Sequence, residues 1–256
     1  MSLFNRASGT ADILASAKEV LSGKLGDQLQ SLIHFGNHVD RSLVPTAEDK
    51  VQLLIVLRCI DSGTLDQLAD AFQGIRGSEH LGPMVTTLAE IEVSTDVFPT
   101  TFLEMKYHHE LLWGEDVLQD LEIESAYLRL RCEQELKNLL FRLQTGYLGS
   151  FKQARRLKSL FHQAFQSFLK TLHAVQVLFD KPFDQERSEL IPQIASQLEI
   201  DPQTLSRLAE IDSQASSAQT EFLRSAVTSL IEVVAQAAAS VDRIPNQVEL
   251  VELEED

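Results

Sequence analysis

The sequence is poor in several residues that build common functional sites. It has two cysteines, Cys59 and Cys132, far apart along the chain, so it predicts neither a disulfide framework nor a zinc knuckle. Its 22 basic residues are outnumbered by 38 acidic ones, and the net charge is −16. Nucleic acids and anionic membranes reward basic surfaces. We therefore predict that neither is a partner of this chain.

Long apolar runs and familiar catalytic signatures are also missing. No stretch approaches the roughly 18 uninterrupted apolar residues of a membrane span, and Met1 to Arg6 opens no apolar signal segment. No Gly-x-x-x-x-Gly-Lys loop, Gly-x-Gly-x-x-Gly turn or Gly-x-Ser-x-Gly elbow occurs. These absences favour a cytoplasmic protein with a reduced pair of thiols and without a membrane span.

The first half of the chain carries both helical and strand patterns. Ala11 to Lys24 and Thr64 to Phe72 place apolar residues at helical spacing. Leu29 to Phe35 alternates like a strand, Leu53 to Leu57 is apolar enough for a central strand, and Met84 to Thr87 predicts a third. We expect a sheet domain with flanking helices over residues 1–118.

Beyond residue 120 the strand pattern stops. Apolar residues continue at helical spacing from Leu136 to Tyr147, from Leu157 to Leu172 and from Phe222 to Ala238. Asp201-Pro202 has the residue types of a helix N-cap and first position. We predict an all-α helical bundle over residues 119–245 and an acidic tail over residues 246–256.

One motif in the sheet domain has the frame of an enzyme without its carboxylates. Leu32-Ile33-His34-Phe35-Gly36-Asn37 is followed by Lys50-Val51-Gln52-Leu53-Leu54-Ile55-Val56-Leu57. This frame resembles the nucleotidyltransferase superfamily, the polymerase-beta-like fold, which has an apolar strand, a Gly-Ser turn and a strand reading Asp-x-Asp-Leu-Leu-Val. Gly36-Asn37 stands at the Gly-Ser turn, and Lys50 and Gln52 stand where the two aspartates would be.

The missing carboxylates bear directly on the chemistry that the resemblance implies. Two magnesium ions neutralise the developing charge in nucleotidyl transfer, and magnesium requires hard oxygen ligands. A lysine ammonium only donates and a glutamine offers one neutral carbonyl oxygen. We predict no catalytic residue, no metal site and a vestigial nucleotide pocket made of Gly36, Asn37, Lys50 and Gln52. Lys50 can still bind phosphate as a point charge.

The alternative is an active nucleotidyltransferase with an unconventional carboxylate set. The candidates are Glu48, Asp49, Glu90 and Glu92. Glu48 and Asp49 are neighbours, so on a strand they would face opposite sides. Under this alternative the cofactor would be a magnesium-nucleotide, and the substrate a small molecule or a partner protein.

A second run of motifs extends the resemblance. Asp96-Val97-Phe98-Pro99, Phe102 to Lys106, Leu112 to Asp116 and Leu128 to Leu136 are similar to a prokaryotic nucleotidyltransferase-domain family, so that the resemblance covers roughly residues 28–150. Much of this run also suits capping and packing, with Pro99 as the first residue of a helix and Gly114 as a helix C-cap. His108 and His109 diverge by about 100° on a helix and are expected at the surface.

The helical half carries one further match. Bundles paired with nucleotidyltransferase domains include some that cleave RNA through an Arg-x(4–6)-His motif, and Arg156 and His162 have that spacing. A match at this spacing is expected by chance in a chain of this composition, and i, i+6 residues lie on different sides of a helix. No nuclease is predicted from it.

Together these observations predict an α+β fold: a small mixed nucleotidyltransferase-like sheet domain with flanking helices, followed by an all-α helical bundle. The favoured function is that of a catalytically impaired nucleotidyltransferase-like protein that serves as a nucleotide-binding or protein-interaction module. Its candidate partners are a nucleotide, a protein, or further copies of this chain joined through the Ala-rich segment from Ala226 to Val241. No cofactor is predicted.

Overall fold

The structure, a computed structural model, describes residues 3–36, 38–39, 50–183, 186–214 and 219–245. They form two compact units. One comprises the chain up to residue 97 together with residues 101–122, and the other comprises residues 98–100 and those from 123 onward. Each unit has its own buried core.

The first unit mixes helices and strands. Its elements in chain order are α1 (Leu3–Leu25), β1 (Leu29–Phe35), β2 (Val51–Leu57), α2 (Ser62–Gln73), β3 (Leu81–Thr87), α3 (Leu88–Ser94), α4 (Pro99–Tyr107) and β4 (His109–Gly114). The predicted first strand coincides with β1, and the predicted apolar strand at residues 53–57 lies within β2. The third predicted strand, at residues 84–87, is the second half of β3.

The four strands form one mixed sheet in the order β3-β2-β1-β4. β1 is antiparallel to both β2 and β4, whereas β2 and β3 are parallel and connected through α2. The predicted central position of the second strand is confirmed. The edge strand β3 contains Pro83, a residue that cannot donate to a strand ladder and is tolerated at a sheet edge.

The core of this unit lies between the sheet and the first two helices. The helix α1 contributes Leu14, Ala17 and Leu21 to the same buried cluster as Leu53 and Ile55 of β2. From residue 53 to residue 57 every residue of β2 is buried. A strand whose two faces are both covered reads as a continuous apolar run, which is why its sequence lacks alternation.

The fourth strand corrects the sequence prediction at Gly114. This glycine ends β4 with φ +84° and is not the C-cap of a helix. A Cβ atom at Gly114 would lie 2.1 Å from the backbone oxygen of Gln30. The glycine is therefore required by the close approach of β4 to the strand beside it.

The second unit is helical, as predicted. Its helices are α5 (Ser125–Ser150), α6 (Ala154–Val177), α7 (Arg187–Gln197), α8 (Pro202–Gln214) and α9 (Thr220–Asp242). Asp201 accepts a hydrogen bond from the Thr204 backbone N–H at 2.9 Å, which confirms the predicted N-cap of α8. The fold class is therefore α+β, with a mixed sheet and flanking helices followed by C-terminal helices.

The Ala-rich helix α9 is the most apolar helix of this unit. Its 18-residue window has a mean hydropathy of 1.3, so by length and composition it resembles a membrane span, but 44% of that window is buried. The core helix of a globular unit passes the same test. Its buried side chains are Leu223, Ala226, Val227, Leu230, Val233, Val234, Ala237, Ala238, Ser240 and Val241. The apolar side of the segment from Ala226 to Val241 thus packs within its own unit, and association of copies through this segment stays a prediction.

Candidate nucleotide site

Four paired residues lie side by side near one end of the sheet. Gln52 on β2 pairs with Phe35 on β1 and with Gly82 on β3, and Phe35 also pairs with His109 on β4. Residues directly opposite each other on neighbouring strands share a face of the sheet. Gly82, Gln52, Phe35 and His109 therefore form one line across one face, which we call the end row.

Of the predicted pocket residues that the structure describes, Gln52 belongs to the end row and Gly36 and Lys50 lie next to it along the chain. Gly36 follows β1, is buried and has φ +82°, a left-handed conformation that favours glycine. A Cβ atom at Gly36 would lie 3.4 Å from Cγ of Gln52. Lys50 directly precedes β2 and is exposed, while Asn37 lies outside the described residues. The structure thus brings Gly36 and Gln52 together, with Lys50 two residues away along the strand.

The side chain of Gln52 turns towards the neighbouring strand. A Cβ atom at Gly82 would lie 2.6 Å from Oε1 of Gln52 and 2.8 Å from its Nε2. The amide therefore occupies the space that a side chain at position 82 would use. The strand β3 contains no acidic residue and has glycine opposite Gln52.

The groups at the end row do not fit a divalent cation. Lys50 brings a positive charge and Gln52 a neutral amide, whereas magnesium is held by carboxylates and other hard oxygen donors. Within the described parts of the chain, no three His, Cys, Asp or Glu side chains are grouped so that they could hold a metal ion. The absence of a metal site remains a prediction.

The alternative carboxylates are only partly described. Glu48 and Asp49 lie outside the described residues. Glu90 and Glu92 lie on α3, which begins after Thr87 at the far end of β3. Thr87 is five residue steps of extended strand from Gly82, or about 16 Å at roughly 3.3 Å per residue. The Glu90 backbone N–H donates to Thr87 Oγ1 at 3.2 Å, which keeps it at that far end.

His34 lies on the opposite face of the sheet from the end row. It pairs with Leu53 on β2 and with Glu110 on β4, and it is buried. Burial lowers the pKa of His34, against an opposing effect of the Glu110 carboxylate, whose Oε2 is 3.7 Å from Nδ1. His34 is therefore a packed imidazole whose burial disfavours the charged form.

His109 holds the loop after β4 to the end of α4. Its Nδ1 lies 3.1 Å from the Lys106 carbonyl oxygen, and its Nε2 lies 3.0 Å from Oδ2 of Asp116. Both partners are acceptors, so the imidazolium form, which donates from both nitrogens, completes both bonds. His109 is half-buried and His108 is buried, so the prediction that both lie at the surface was wrong.

Asp116 also organises the loop that follows it. The backbone N–H groups of Leu118 and Gln119 donate to its Oδ1 at 3.1 and 3.2 Å. Burial opposes ionisation, but these bonds and His109 together lower the pKa of Asp116. Asp116 therefore caps and packs the loop after β4, whereas Gly114 ends a strand and is not the predicted helix C-cap.

A cleft of about 440 Å³ lies between α3 and the loop after β4. Its described lining contains no basic side chain but has several acidic ones, namely Glu92, Glu115, Asp116, Asp120 and Glu122. Such a lining repels phosphate groups. The anionic part of a nucleotide therefore fits the neighbourhood of Lys50 better than this cleft.

In the second unit, Asp212 on α8 connects three helices through a buried carboxylate. His162 Nδ1 lies 2.7 Å from its Oδ1, and Gln166 Nε2 and Arg187 donate to its Oδ2 at 2.7 and 3.3 Å. The side chain of Asp212 is 4% exposed. His162 lies six residues after Arg156 in the sequence, but the contact that the structure shows for it is with a residue 50 positions away.

One solved structure matches this chain over most of its length. The crystal structure of a spectinomycin adenyltransferase from Enterococcus faecialis, with ATP and spectinomycin, matches with a TM-score of 0.49 and 11% sequence identity, and the match covers 89% of this chain and 98% of that one. No family model matches the chain. No curated protein matches it either.

Proposed function

We propose that this chain is a nucleotidyltransferase-like protein that has lost the ability to transfer nucleotidyl groups and retains a phosphate-binding site beside the end row. The observation that carries the proposal is the pair Lys50 and Gln52 at the start of β2, where the resembling superfamily has two aspartates. The Gln52 amide lies against Gly82, so the neighbouring strand offers no carboxylate in their place. Lys50, Gln52 and Gly82 are therefore suited to binding a ligand and not to coordinating a catalytic metal ion.

An exposed cation favours an anionic ligand beside the end row. Lys50 is exposed and offers three ammonium donors. It lies two residues before Gln52, which packs near the buried Gly36. The ligand proposed is a nucleotide, bound through its phosphates without a coordinating metal ion. The second class of ligand that the site at Lys50 would accept is a protein partner that carries acidic side chains.

Titration calorimetry with ATP tests the binding step. We expect ATP to bind with the same affinity with and without magnesium, and Lys50→Glu to weaken binding by about tenfold, the order expected for one charge-assisted contact. The matched control is Lys18→Glu, which makes the same change at an exposed lysine on α1. Equal effects of the two substitutions would contradict a site at Lys50.

A gain-of-site variant tests the impairment. Lys50→Asp combined with Gln52→Asp places two carboxylates at i and i+2 of β2, on one face of the strand. We expect this variant to bind Mn²⁺, detected by electron paramagnetic resonance, while the natural chain does not. A contradicting result would be that the natural chain transfers label from radioactive ATP and that Asp49→Ala abolishes this transfer. That result would establish the alternative carboxylate set.

A further inference from the structure

The solvent-facing side of α5 is unusually apolar. Residues at the spacing of a heptad repeat are exposed along its whole length, and four of them are large and apolar: Tyr127, Leu130, Phe141 and Leu148. Leu148 is 80% exposed and Phe141 64%. An exposed helix face is normally polar, and an apolar stripe with a 3.5-residue repeat is typical of a helix that packs against another helix.

The opposite side of the same helix already serves the core of its unit. Leu128, Cys132, Leu136, Leu139 and Leu143 are buried there. The exposed stripe is therefore an additional apolar surface. We define the α5 stripe as Tyr127, Leu130, Gln134, Lys137, Phe141, Gln144, Leu148 and Phe151, the last of which follows α5 in a helical conformation.

We propose that two copies of this chain associate through the α5 stripe, with the two helices antiparallel about a two-fold axis near residue 139. In an antiparallel pair of helices, the a positions of one helix face the d positions of the other. One register places the apolar residues at the two ends of the stripe opposite each other and glutamine opposite glutamine, while Lys137 lies opposite Phe141. The facing pairs are Tyr127 with Phe151, Leu130 with Leu148, Gln134 with Gln144, and Lys137 with Phe141.

The chemistry of these layers favours a second copy over an unrelated partner. The two ends of the stripe are apolar and face each other, while the glutamines can exchange amide hydrogen bonds. Lys137 is ion-paired with Glu133, so its methylene stem lies along the helix and can cover the facing ring of Phe141. A surface that complements itself under a two-fold rotation is what an isologous dimer requires.

Charges at the ends of α5 agree with the same register. Glu124 precedes the helix and Lys152 follows it, and both are exposed. Their heptad positions put Glu124 of one copy beside Lys152 of the other, twice in the dimer. The remaining flanking positions bring no two like charges together, because Glu133 faces Tyr147 and Arg131 faces Thr145. The register is thus complementary in charge as well as in apolar surface.

Sedimentation velocity of the full chain over a range of concentrations tests the association. We expect a monomer–dimer equilibrium whose dissociation constant rises by about tenfold or more in Leu148→Glu, because a buried apolar anchor becomes a charge. Phe222→Glu is the matched control, since Phe222 is a 50% exposed aromatic on α9 outside the stripe. A chain that stays monomeric, or equal weakening by both substitutions, would overturn the proposal.

A charge exchange and a cross-link test the register. Glu124→Lys and Lys152→Glu should each weaken the dimer, and the double variant should recover it. In this register, position 138 of one copy lies beside position 138 of the other. On a Cys59→Ser background, Asn138→Cys should therefore form a disulfide-linked dimer. Gln144→Cys should not, because the two copies of position 144 are about 15 Å apart along the axis at 1.5 Å per residue. The antiparallel register would be refuted if the losses from Glu124→Lys and Lys152→Glu added up in the double variant. It would also be refuted by equal cross-linking at positions 138 and 144.

Discussion

Two glycines of the sheet are surrounded closely, but by groups of different kinds. At Gly82 the neighbour is the end of a side chain, the amide of Gln52. At Gly114 the neighbour is backbone, the carbonyl oxygen of Gln30, and φ is +84°. A side chain can rotate away from an added methyl group, whereas a paired strand cannot move without breaking its hydrogen bonds.

The two glycines should therefore respond differently to the same substitution. We expect Gly114→Ala to lower the free energy of unfolding by about 2 kcal/mol or more, because a left-handed alanine is strained and its Cβ meets backbone. Gly82→Ala should change it by less than about 1 kcal/mol, since Gln52 can swing aside and alanine suits a strand better than glycine. Urea unfolding measures both variants. Equal losses would mean that Gln52 is held rigidly against β3.

Sequence patterns predicted individual residues well where the role is local. Pro99 is the first residue of α4, and Asp201 caps α8, both as their residue types suggested. His109 was misjudged because its partner, Asp116, depends on β4 and the loop after it. A helix assumed over residues 108–109 placed both histidines on the surface, whereas the chain leaves α4 at Tyr107, His108 is buried just before β4, and His109 begins that strand.

At the scale of elements, the buried carboxylate of Asp212 is the main polar tie between α6, α7 and α8 in the described part of the second unit. His162 and Arg187 pair with it from α6 and α7. Both partners are partly exposed, so each can regain water if the carboxylate is removed. Removal of the Asp212 carboxylate nevertheless breaks its contacts with His162, Gln166 and Arg187 at once, whereas removal of one partner leaves the other contacts in place.

Removing Asp212 should cost more stability than removing either partner. We expect Asp212→Ala to lower the free energy of unfolding by about 2–3 kcal/mol, and His162→Ala by about 1 kcal/mol, because Gln166 and Arg187 still satisfy the carboxylate in the second variant. Thermal and urea unfolding provide the measurement. Arg156→Ala, an exposed residue on the same helix, is the control and should change little. A larger loss from His162→Ala than from Asp212→Ala would contradict this order.

The elements themselves were predictable to different degrees. β1 and β2 were found because alternation and a dense apolar run are local signals of strands. The sequence of β4 carries neither signal: its residues are mostly half-buried or exposed, and its pairing with β1 spans more than 70 positions of the chain. Its existence depends on a free edge of β1 that only the assembled sheet offers.

At the scale of the whole molecule, charge of one sign is the dominant property. The chain has a net charge of −16, and such self-repulsion opposes the compact state. Screening by salt weakens repulsion between exposed charges, with a Debye length of about 10 Å at 0.1 M. The acidic residues that line the cleft beside α3 add to this repulsion locally.

Salt should therefore stabilise the folded chain. We expect the urea midpoint to rise as sodium chloride is increased, because screened carboxylates repel each other less. Magnesium chloride at the same ionic strength should act to a similar extent, since the described carboxylates form no group suited to a metal ion. A much larger stabilisation by magnesium would indicate a specific cation site and would argue against the impaired-site proposal.

The sequence alone determined the helices of the second half and the inner strands of the sheet. It also determined that Lys50 and Gln52 stand where carboxylates were expected. Periodicity and residue chemistry are properties of short segments, so they can be read without the fold. Only the tertiary structure decided that Gln52 lies over Gly82, that Asp212 holds His162 and that one side of α5 remains apolar and exposed. Each of these depends on which distant residues come into contact. Burial is a property of the assembled fold, so no local pattern could distinguish the covered side of α9 from the open side of α5.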